Sequence, residues 1–423
     1  MRFLLAILIG FFWVGAALAT PNILLVIADD MGLDSSPCHG VSTAVPTMPT
    51  LQKLCANGMV FDNFWTPPSC SPTRATIMTG LYPSRTGIGS AITPQNPVAL
   101  ADTHTTIFDL LAPNYATALI GKWHLDAPRQ VSDHPQRLGV GHYFGLYAGS
   151  TRDYFSWTAV ENGNRVQIAN YATTELTDRA IDWVGAQQRP WFLWLAYNAP
   201  HTPFHQPPPD LHSVAGLAGG EIARGPGARQ YYEAALEALD TELGRLLDSL
   251  SPDSLSNTII LFIGDNGTPF AVAQDPYRHR STKASLWQGG INTPLIVSGP
   301  TVPVGRSDAL AQSTDLFATI AAFAGIRAPQ NDARDLSIAI RGGQSSREFA
   351  YVEHFSQAEG RRRTQYGWAI RDDTWKLIQP EDGAPLLFNL RIDPFETINM
   401  LGTSPEADEA LNVLTDARRD LLQ

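Results

Sequence analysis

Four stretches of the chain share one pattern, an unbroken apolar run that stops abruptly at polar residues. They are NILLVIADD (Asn22 to Asp30), YATALIGKWH (Tyr115 to His124), PWFLWLAYNAPH (Pro190 to His201) and NTIILFIGDNG (Asn257 to Gly267). A strand of a parallel sheet reads this way, because helices cover both faces and no position alternates toward water. The polar tails carry Asp29 and Asp30, Lys122 and His124, His201, and Asp265 and Asn266. In open α/β sheets ligands gather beyond the carboxyl ends of the strands, so the pattern predicts that these tails meet. Singly, each tail reads more readily as a solvated loop after a strand; four tails with metal-type or anion-type residues together do not. Between the runs lie helical patterns. In the clearest, Ala228 to Leu250, residues Tyr232, Leu236, Leu239, Leu243, Leu246 and Leu250 share one face. Strands alternating with helices predict an α/β fold whose large, mixed, mainly parallel sheet is flanked by helices.

The pattern changes towards the carboxyl end. FAYVEH, YGWAIRDDTWKLIQ and PLLFNL are short runs of antiparallel character, followed by a helical pattern that ends at Gln423. They predict a smaller antiparallel α+β unit. The polar zone from Ala328 to Arg347 marks the expected junction, dividing a catalytic domain over 20–335 from a subdomain over 336–423. The segment Ala127 to Asn170, rich in Tyr, Trp and Gly, reads either as the lining of a cleft or as an ordinary insertion. At the start, MRFLLAILIGFFWVGAALAT has the basic residue, apolar run and Ala17-Leu18-Ala19 ending of a secretory signal peptide over 1–19. It is short for a spanning helix, so stable membrane insertion is not expected, and the location is periplasmic or secreted. In such a compartment, three cysteines leave one over. Pairing Cys38 with Cys55 leaves Cys70 single; three buried thiols is the alternative.

Charge narrows the function. A formal net charge of −11 over 423 residues excludes nucleic acid as a partner of the whole surface, and any anion must be held by a local basic cluster. Asp29, Asp30 and Asp265 with the amide of Asn266 form a hard oxygen set suited to Ca²⁺ or Mg²⁺ rather than zinc. Adjacent strand residues point to opposite faces, so both aspartates reach one ion only where the backbone turns, as Met31-Gly32 permits. Arg74, Lys122, His124, His201 and Lys283 supply the donors that a tetrahedral anion needs.

These residues carry a resemblance. CSPTRATIMTG, from Cys70, resembles the signature Cys-x-Pro-Ser-Arg-x-x-x-Leu-Thr-Gly of the formylglycine-dependent sulfatases, within the alkaline phosphatase superfamily. Asp29-Asp30, GKWH, APHTPF with His201, GDNG, and KASLWQGGINTPLIVSGP from Lys283 follow in the order of that family's blocks. WAIRDDTWKLI and LFNLRIDPFETINM are similar to its small second domain. Four positions depart: Thr73 and Met78 replace the common Ser and Leu, and Gln288 and Asn292 stand where many members carry Glu and Arg.

The resemblance implies that a maturation enzyme oxidises Cys70 to formylglycine, whose hydrate attacks sulfur. It implies Asp29, Asp30, Cys70, Asp265 and Asn266 as ligands of Ca²⁺, with Mg²⁺ as the alternative. Lys122, Lys283 and Arg74 then hold the sulfate oxygens or the diol, His201 or Lys283 assists the departing alcohol, and His124 helps to restore the aldehyde. The expected substrate is an aryl or carbohydrate sulfate. Two rival readings are a phosphonate monoester or phosphodiester hydrolase of the same superfamily, told apart by an aryl phosphonate, and a non-catalytic binder of sulfated glycans, told apart by the mass of the Cys70 peptide.

Overall fold

The computed structural model describes residues 20–127, 133–222, 225, 227–277, 281–357 and 366–423; the expected leader, 1–19, lies outside the described residues. The strands are, in chain order, β1 Asn22–Ala28, β2 Gly58–Phe61, β3 Phe64–Trp65, β4 Ala116–Gly121, β5 His142–Gly145, β6 Trp157–Glu161, β7 Asn164–Ile168, β8 Trp191–Ala196, β9 Phe204–His205, β10 Glu221–Ile222, β11 Thr258–Gly264, β12 Leu295–Ser298, β13 Gly305–Ser307, β14 Ala311–Gln312, β15 Ala350–His354, β16 Gly367–Arg371, β17 Trp375–Pro380 and β18 Leu386–Asn389.

The four apolar runs are β1, β4, β8 and β11, and they are neighbours. One sheet runs β13-β2-β12-β11-β1-β8-β4-β5-β6-β7, and β11, β1, β8, β4 and β5 are parallel. Ala28 pairs with Gly264, Ile27 with Ala196, and Gly121 with Ala196. All four polar tails therefore leave the sheet at one edge, as the pattern predicts. Towards the margins the sheet turns antiparallel, through β12 on one side and through β6 and β7 on the other. The β6–β7 hairpin closes on Asn162-Gly163, both with positive φ, the turn chemistry that matches strand twist.

Alternation along β1 shows why its run is unbroken. Ile23, Leu25 and Ile27 enter one core cluster, shared with Ala75, Ile77 and Met78 of the helix Cys70–Thr79 and with Phe317 and Ile320. Leu24, Val26 and Ala28 enter the other, against Leu236, Leu239 and Leu243 of the helix Ala228–Ser249. Each fully buried large apolar side chain stabilises the fold by roughly 1.5–3 kcal/mol, so both faces must be apolar. The predicted helix over 228–250 is present, with Leu250 as its C-cap.

The carboxyl-terminal unit is an antiparallel sheet in the order β15-β16-β17-β18, covered by the helix Pro405–Leu422 through Ala407, Ala410 and Leu414. The zone 328–347 is drawn into the main core by Leu336, Ala339 and Ile340, and Arg347 is bound to Asp315. A fully buried pair, Lys376 Nζ to Glu396 Oε1 at 2.5 Å, joins β17 to the segment after β18 within the small unit and faces the large body. Its other oxygen, Glu396 Oε2, accepts the Gln288 N–H at 2.6 Å. Cys38 and Cys55 form a disulfide, Cα to Cα 6.3 Å, and Cys70 is free and buried. Most aromatics of 127–170 are core: Tyr143, Phe144, Tyr154 and Trp157 are buried. Among the described residues no helix is long and apolar enough to cross a membrane.

Candidate active site

Cys70 is the first residue of a ten-residue helix whose every side chain is buried, entered from extended Ser69 and closed by left-handed Gly80. Pro72 costs nothing there, since first-turn N–H groups have no intrahelical partner. Cys70 Sγ lies 3.4 Å from Asp29 Oδ1, 4.0 Å from Asp30 Oδ1 and 3.6 Å from Lys283 Nζ. Burial and the neighbouring Asp29 push the thiol up to about 12, so it stays protonated at neutral pH.

The two aspartates converge because the backbone turns at Asp30 itself, φ 74, one residue earlier than the Met31-Gly32 turn expected from sequence. Aspartate tolerates this left-handed conformation better than most residues. Gly32 serves by its smallness instead: a Cβ there would stand 2.7 Å from Thr268 N. His124 and Ala284, which also flank the site, have positive φ too. Such strained residues persist where the surroundings over-determine them.

Lys122 Nζ donates to Asp29 Oδ2 at 2.5 Å, and both side chains are fully buried. Lys283 Nζ donates to Asp30 Oδ1, and Asn266 Nδ2 donates to the same oxygen at 2.8 Å. Burial opposes the charge on Asp30, yet Lys283, His201 and Lys122 outweigh it and hold the carboxyl well below the usual range. Burial likewise opposes the ammonium of Lys283, and Asp30 outweighs it, so that pKa rises. His201 Nε2 stands 3.8 Å from Asp30 Oδ2, while its Nδ1 hydrogen-bonds Thr202 O at 2.9 Å. Burial lowers the imidazole to about 3, so it is neutral.

Arg74, expected on the sulfate oxygens or the diol, is paired within the cluster through its two terminal nitrogens, and its buried Nε has no hydrogen-bond partner among the described residues. It is 1% exposed, donating to Asp265 Oδ2 at 2.9 Å and to Lys122 O at 2.8 Å. A buried guanidinium needs a carboxylate, and Asp265 is where the fold puts one. Asp265 Oδ1 accepts the Asp30 N–H at 3.0 Å, so one side chain fixes the arginine and the turn together. His124 stands beside these groups with Nε2 on Ile92 O at 2.8 Å and a buried Nδ1 that has no hydrogen-bond partner.

Several positioning residues escaped the sequence reading. Thr73 Oγ1 donates to Asp265 O at 2.7 Å. Thr268 Oγ1 accepts from Gly32 N and donates to Asp34 Oδ1 at 2.5 Å, and Tyr232 OH donates to Asp30 O at 2.9 Å. The available signals were a threonine directly after GDNG and a lone tyrosine, with its polar tip, on an otherwise leucine face. Gln288 and Asn292 are structural: Gln288 Oε1 accepts Trp65 Nε1, and Asn292 Oδ1 accepts Phe64 N.

Asp29, Asp30, Cys70 and His201 each offer a ligand atom within 4.8 Å of the others, a cluster that could hold a metal ion. The residues fit a hard divalent cation: the donors are carboxylate-rich, and Asn266 Oδ1 is buried with no hydrogen-bond partner.

A family model described as Sulfatase matches residues 21–326. The chain belongs to the sulfatase family. Its members hydrolyse sulfuric esters, and this sulfatase is a sulfuric ester hydrolase. It is 28% identical to arylsulfatase G of Rattus norvegicus, over 95% of this chain and 87% of that one. It is 30% identical to N-acetylgalactosamine-6-sulfatase of Canis lupus familiaris, over 93% and 84%. The crystal structure of Ps i-CgsB in complex with k-i-k-neocarrahexaose superposes with a TM-score of 0.79 at 27% identity, over 95% of this chain and 92% of that chain. The fold is therefore the alkaline phosphatase-like one expected.

The loop that carries His201 has its own acid sensitivity. His205 stacks on Tyr154 at 3.8 Å between centroids; its Nδ1 donates to Pro203 O, which leaves Nε2 to accept from Tyr171 OH. Burial lowers the ring to about 4. The unfolded chain then binds this proton from about pH 6.5 downward while the folded one resists it. The stability that the neutral ring contributes is complete above about pH 6.5 and falls, by up to about 3 kcal/mol, as pH drops to 4. Urea midpoints at pH 7 and 4.5 should converge more in His205→Phe, which keeps the stack and cannot titrate; an identical pH slope in both proteins refutes this.

Proposed function

We propose that the protein is an exported sulfatase that removes sulfate from a carbohydrate ester, using a formylglycine made from Cys70 beside Ca²⁺ or Mg²⁺. The observation that carries the reading is the position of Cys70 Sγ, between Asp29 and Lys283 at the head of a buried helix. A thiol held near 12 is a poor nucleophile, which supports a role as precursor rather than as the working group. Export is supported by the amino-terminal pattern and by the disulfide, which persists in oxidising compartments. A carbohydrate substrate is supported by the names of two relatives, an N-acetylgalactosamine-6-sulfatase and a protein solved with k-i-k-neocarrahexaose.

When present, the cation and the hydrated aldehyde supply charge stabilisation and an oxygen nucleophile of lowered pKa. Asp29, Asp30, Asp265 and Asn266, with residue 70, would hold the cation. Lys122 and Lys283 stand at the carboxylate-lined floor and donate to the sulfate oxygens as charge moves onto them. Lys283 also faces the departing alcohol, as an electrostatic donor. His201, with Nδ1–H on Thr202 O, turns the lone pair of Nε2 to the site; His124, with Nε2–H on Ile92 O, keeps Nδ1 as its base. Arg74 positions Asp265 and the Lys122 carbonyl.

Lys122→Ala should lower kcat by roughly 10²–10³, the usual loss for one donor to a developing oxyanion. Steady-state kinetics on an aryl sulfate measures it, and an unchanged kcat dismisses the role. The reading as a whole is tested by desulfation assays of protein matured with a formylglycine-generating enzyme, on aryl sulfate, sulfated sugars and an aryl phosphonate. Faster cleavage of the phosphonate would move the assignment to phosphorus.

A further inference from the structure

The margin of the sheet formed by β5, β6 and β7 ends in a cleft of about 350 Å³. Its lining contrasts with the chain's formal charge of −11. Arg152 and Arg165 line it together with the hydroxyl residues Ser150, Thr151, Ser156 and Thr158, and among the described residues no Asp or Glu does. Both arginines are exposed. Among the described residues Arg152 has no ion-pair or hydrogen-bond partner. The carboxylate next to it in sequence, Asp153, is turned into its own loop, where Oδ1 accepts the Phe155 N–H at 2.7 Å.

The cleft adjoins the catalytic cluster through the backbone. Trp123 N donates to Leu146 O at 2.9 Å and His124 N to Tyr147 O at 3.2 Å, and both acceptors belong to cleft residues. The residue before Trp123 is Lys122, whose amine holds Asp29. Tyr147 and Val160 of the cleft share one core cluster with Ala75, Ile77 and Met78 of the helix that carries Cys70, and Arg165 pairs with Val160; Leu146 and Trp157 enter the opposite cluster, so the cleft wraps the margin of the sheet. Between β1 and β5 stand β8 and β4, which sets those two strands roughly 14 Å apart at ordinary strand spacing, and the cleft residues of β6 and β7 lie one and two strands further out.

We propose that this cleft is a second anion subsite. It holds a sulfate or carboxylate group on another residue of the sugar chain while the sulfate to be removed sits at Cys70. The inference rests on the carbohydrate sulfatase reading above and deepens it: the substrate is a polyanionic oligosaccharide, and a singly charged sugar or aryl sulfate fills only part of the site. Guanidinium is the side chain suited to both anions, since its paired N–H groups match two oxygens of either. The hydroxyls around it are complementary to the sugar's own.

The test compares three defined tetrasaccharides, one with two sulfates, one with a uronate in place of the second sulfate, and one with a single sulfate and otherwise neutral. The reference substrate is an aryl sulfate, and the variants are Arg152→Ala, Arg165→Ala and their combination. The ratio of kcat/KM on the disulfated tetrasaccharide to that on aryl sulfate should fall about tenfold for either variant and roughly a hundredfold for both, carried in KM. An equal fall with the uronate compound shows that the subsite accepts either anion, and a fall with one alone identifies which. A ratio that stays level in the double variant for both charged tetrasaccharides, or that falls as far for the neutral one, overturns the proposal. Should the matured wild-type protein desulfate nothing, the underlying reading has failed. The cleft is then judged by calorimetric binding of the same compounds. A tenfold weaker Kd for a charged tetrasaccharide in the double variant supports the cleft, and equal Kd values refute it.

Discussion

Cys70→Ser is expected to abolish sustained desulfation, by at least about 10⁴-fold, while leaving the fold and the surrounding cluster intact. The side chain sits in a fully buried helix with Asp29 Oδ1 at 3.4 Å and Lys283 Nζ at 3.6 Å, and a hydroxyl occupies the same place without strain. Binding of the ester and its contacts with Lys122 and Lys283 should therefore survive. What an alcohol lacks is a second oxygen on the same carbon, from which bound sulfate can be expelled. The variant should release at most one equivalent of alcohol per protein molecule and then stop as a stable serine sulfate. Rapid-quench measurement of product and mass analysis of the peptide containing residue 70 check both parts. Multiple turnovers by the serine protein would falsify the proposed chemistry outright, whatever the fate of the wild-type cysteine.

The second large effect is expected at Asp265→Asn. Asp265 has no exposed surface, and its two oxygens serve different masters: Oδ2 pairs with Arg74 and Oδ1 fixes the Asp30 N–H. Burial and the like charge of Asp29 push its carboxyl up to about 6 against the pull of Arg74, a sign of how tightly these charges depend on one another. Asparagine keeps the size and the acceptor for Asp30, but it leaves a 1% exposed guanidinium with only the more distant Asp29 Oδ2, at 3.9 Å. Unpairing a buried charge costs about 3–5 kcal/mol. It also takes one negative charge from the set proposed to hold the cation. Chemical denaturation should show the loss of stability, elemental analysis after dialysis the loss of Ca²⁺ or Mg²⁺, and the rate should drop at least about 10²-fold. Full metal content with unchanged stability is the outcome that dismisses this role.

The central sheet was legible because burial on both faces writes itself as an unbroken apolar string, and four such strings ended in the groups that now surround Cys70. Conformation at their ends was less legible. Nothing in ADDMG marks Asp30, rather than the glycine, as the residue that turns, since that choice depends on Thr268 and Tyr232 from distant segments. Arg74 reads as a donor to the sulfate oxygens or the diol; only the approach of β11 shows that it also pairs with Asp265. Lys376 and Glu396 lie 20 residues apart, and their joint burial against Gln288 follows from how the small sheet docks, which no local pattern records. The strands β5, β6 and β7 are short, and their apolar residues blend into a Tyr-, Trp- and Gly-rich stretch that reads either as a cleft lining or as an insertion.

Cys70 has 1% of its surface exposed, and its neighbours on the helix have scarcely more. On the proposed chemistry, no oxidising enzyme can reach it once the chain has closed, so each molecule is committed during its own synthesis. A purified batch is then a frozen mixture of competent and silent copies, indistinguishable in shape, and incubating it afterwards with the maturation enzyme recovers none of the missing activity.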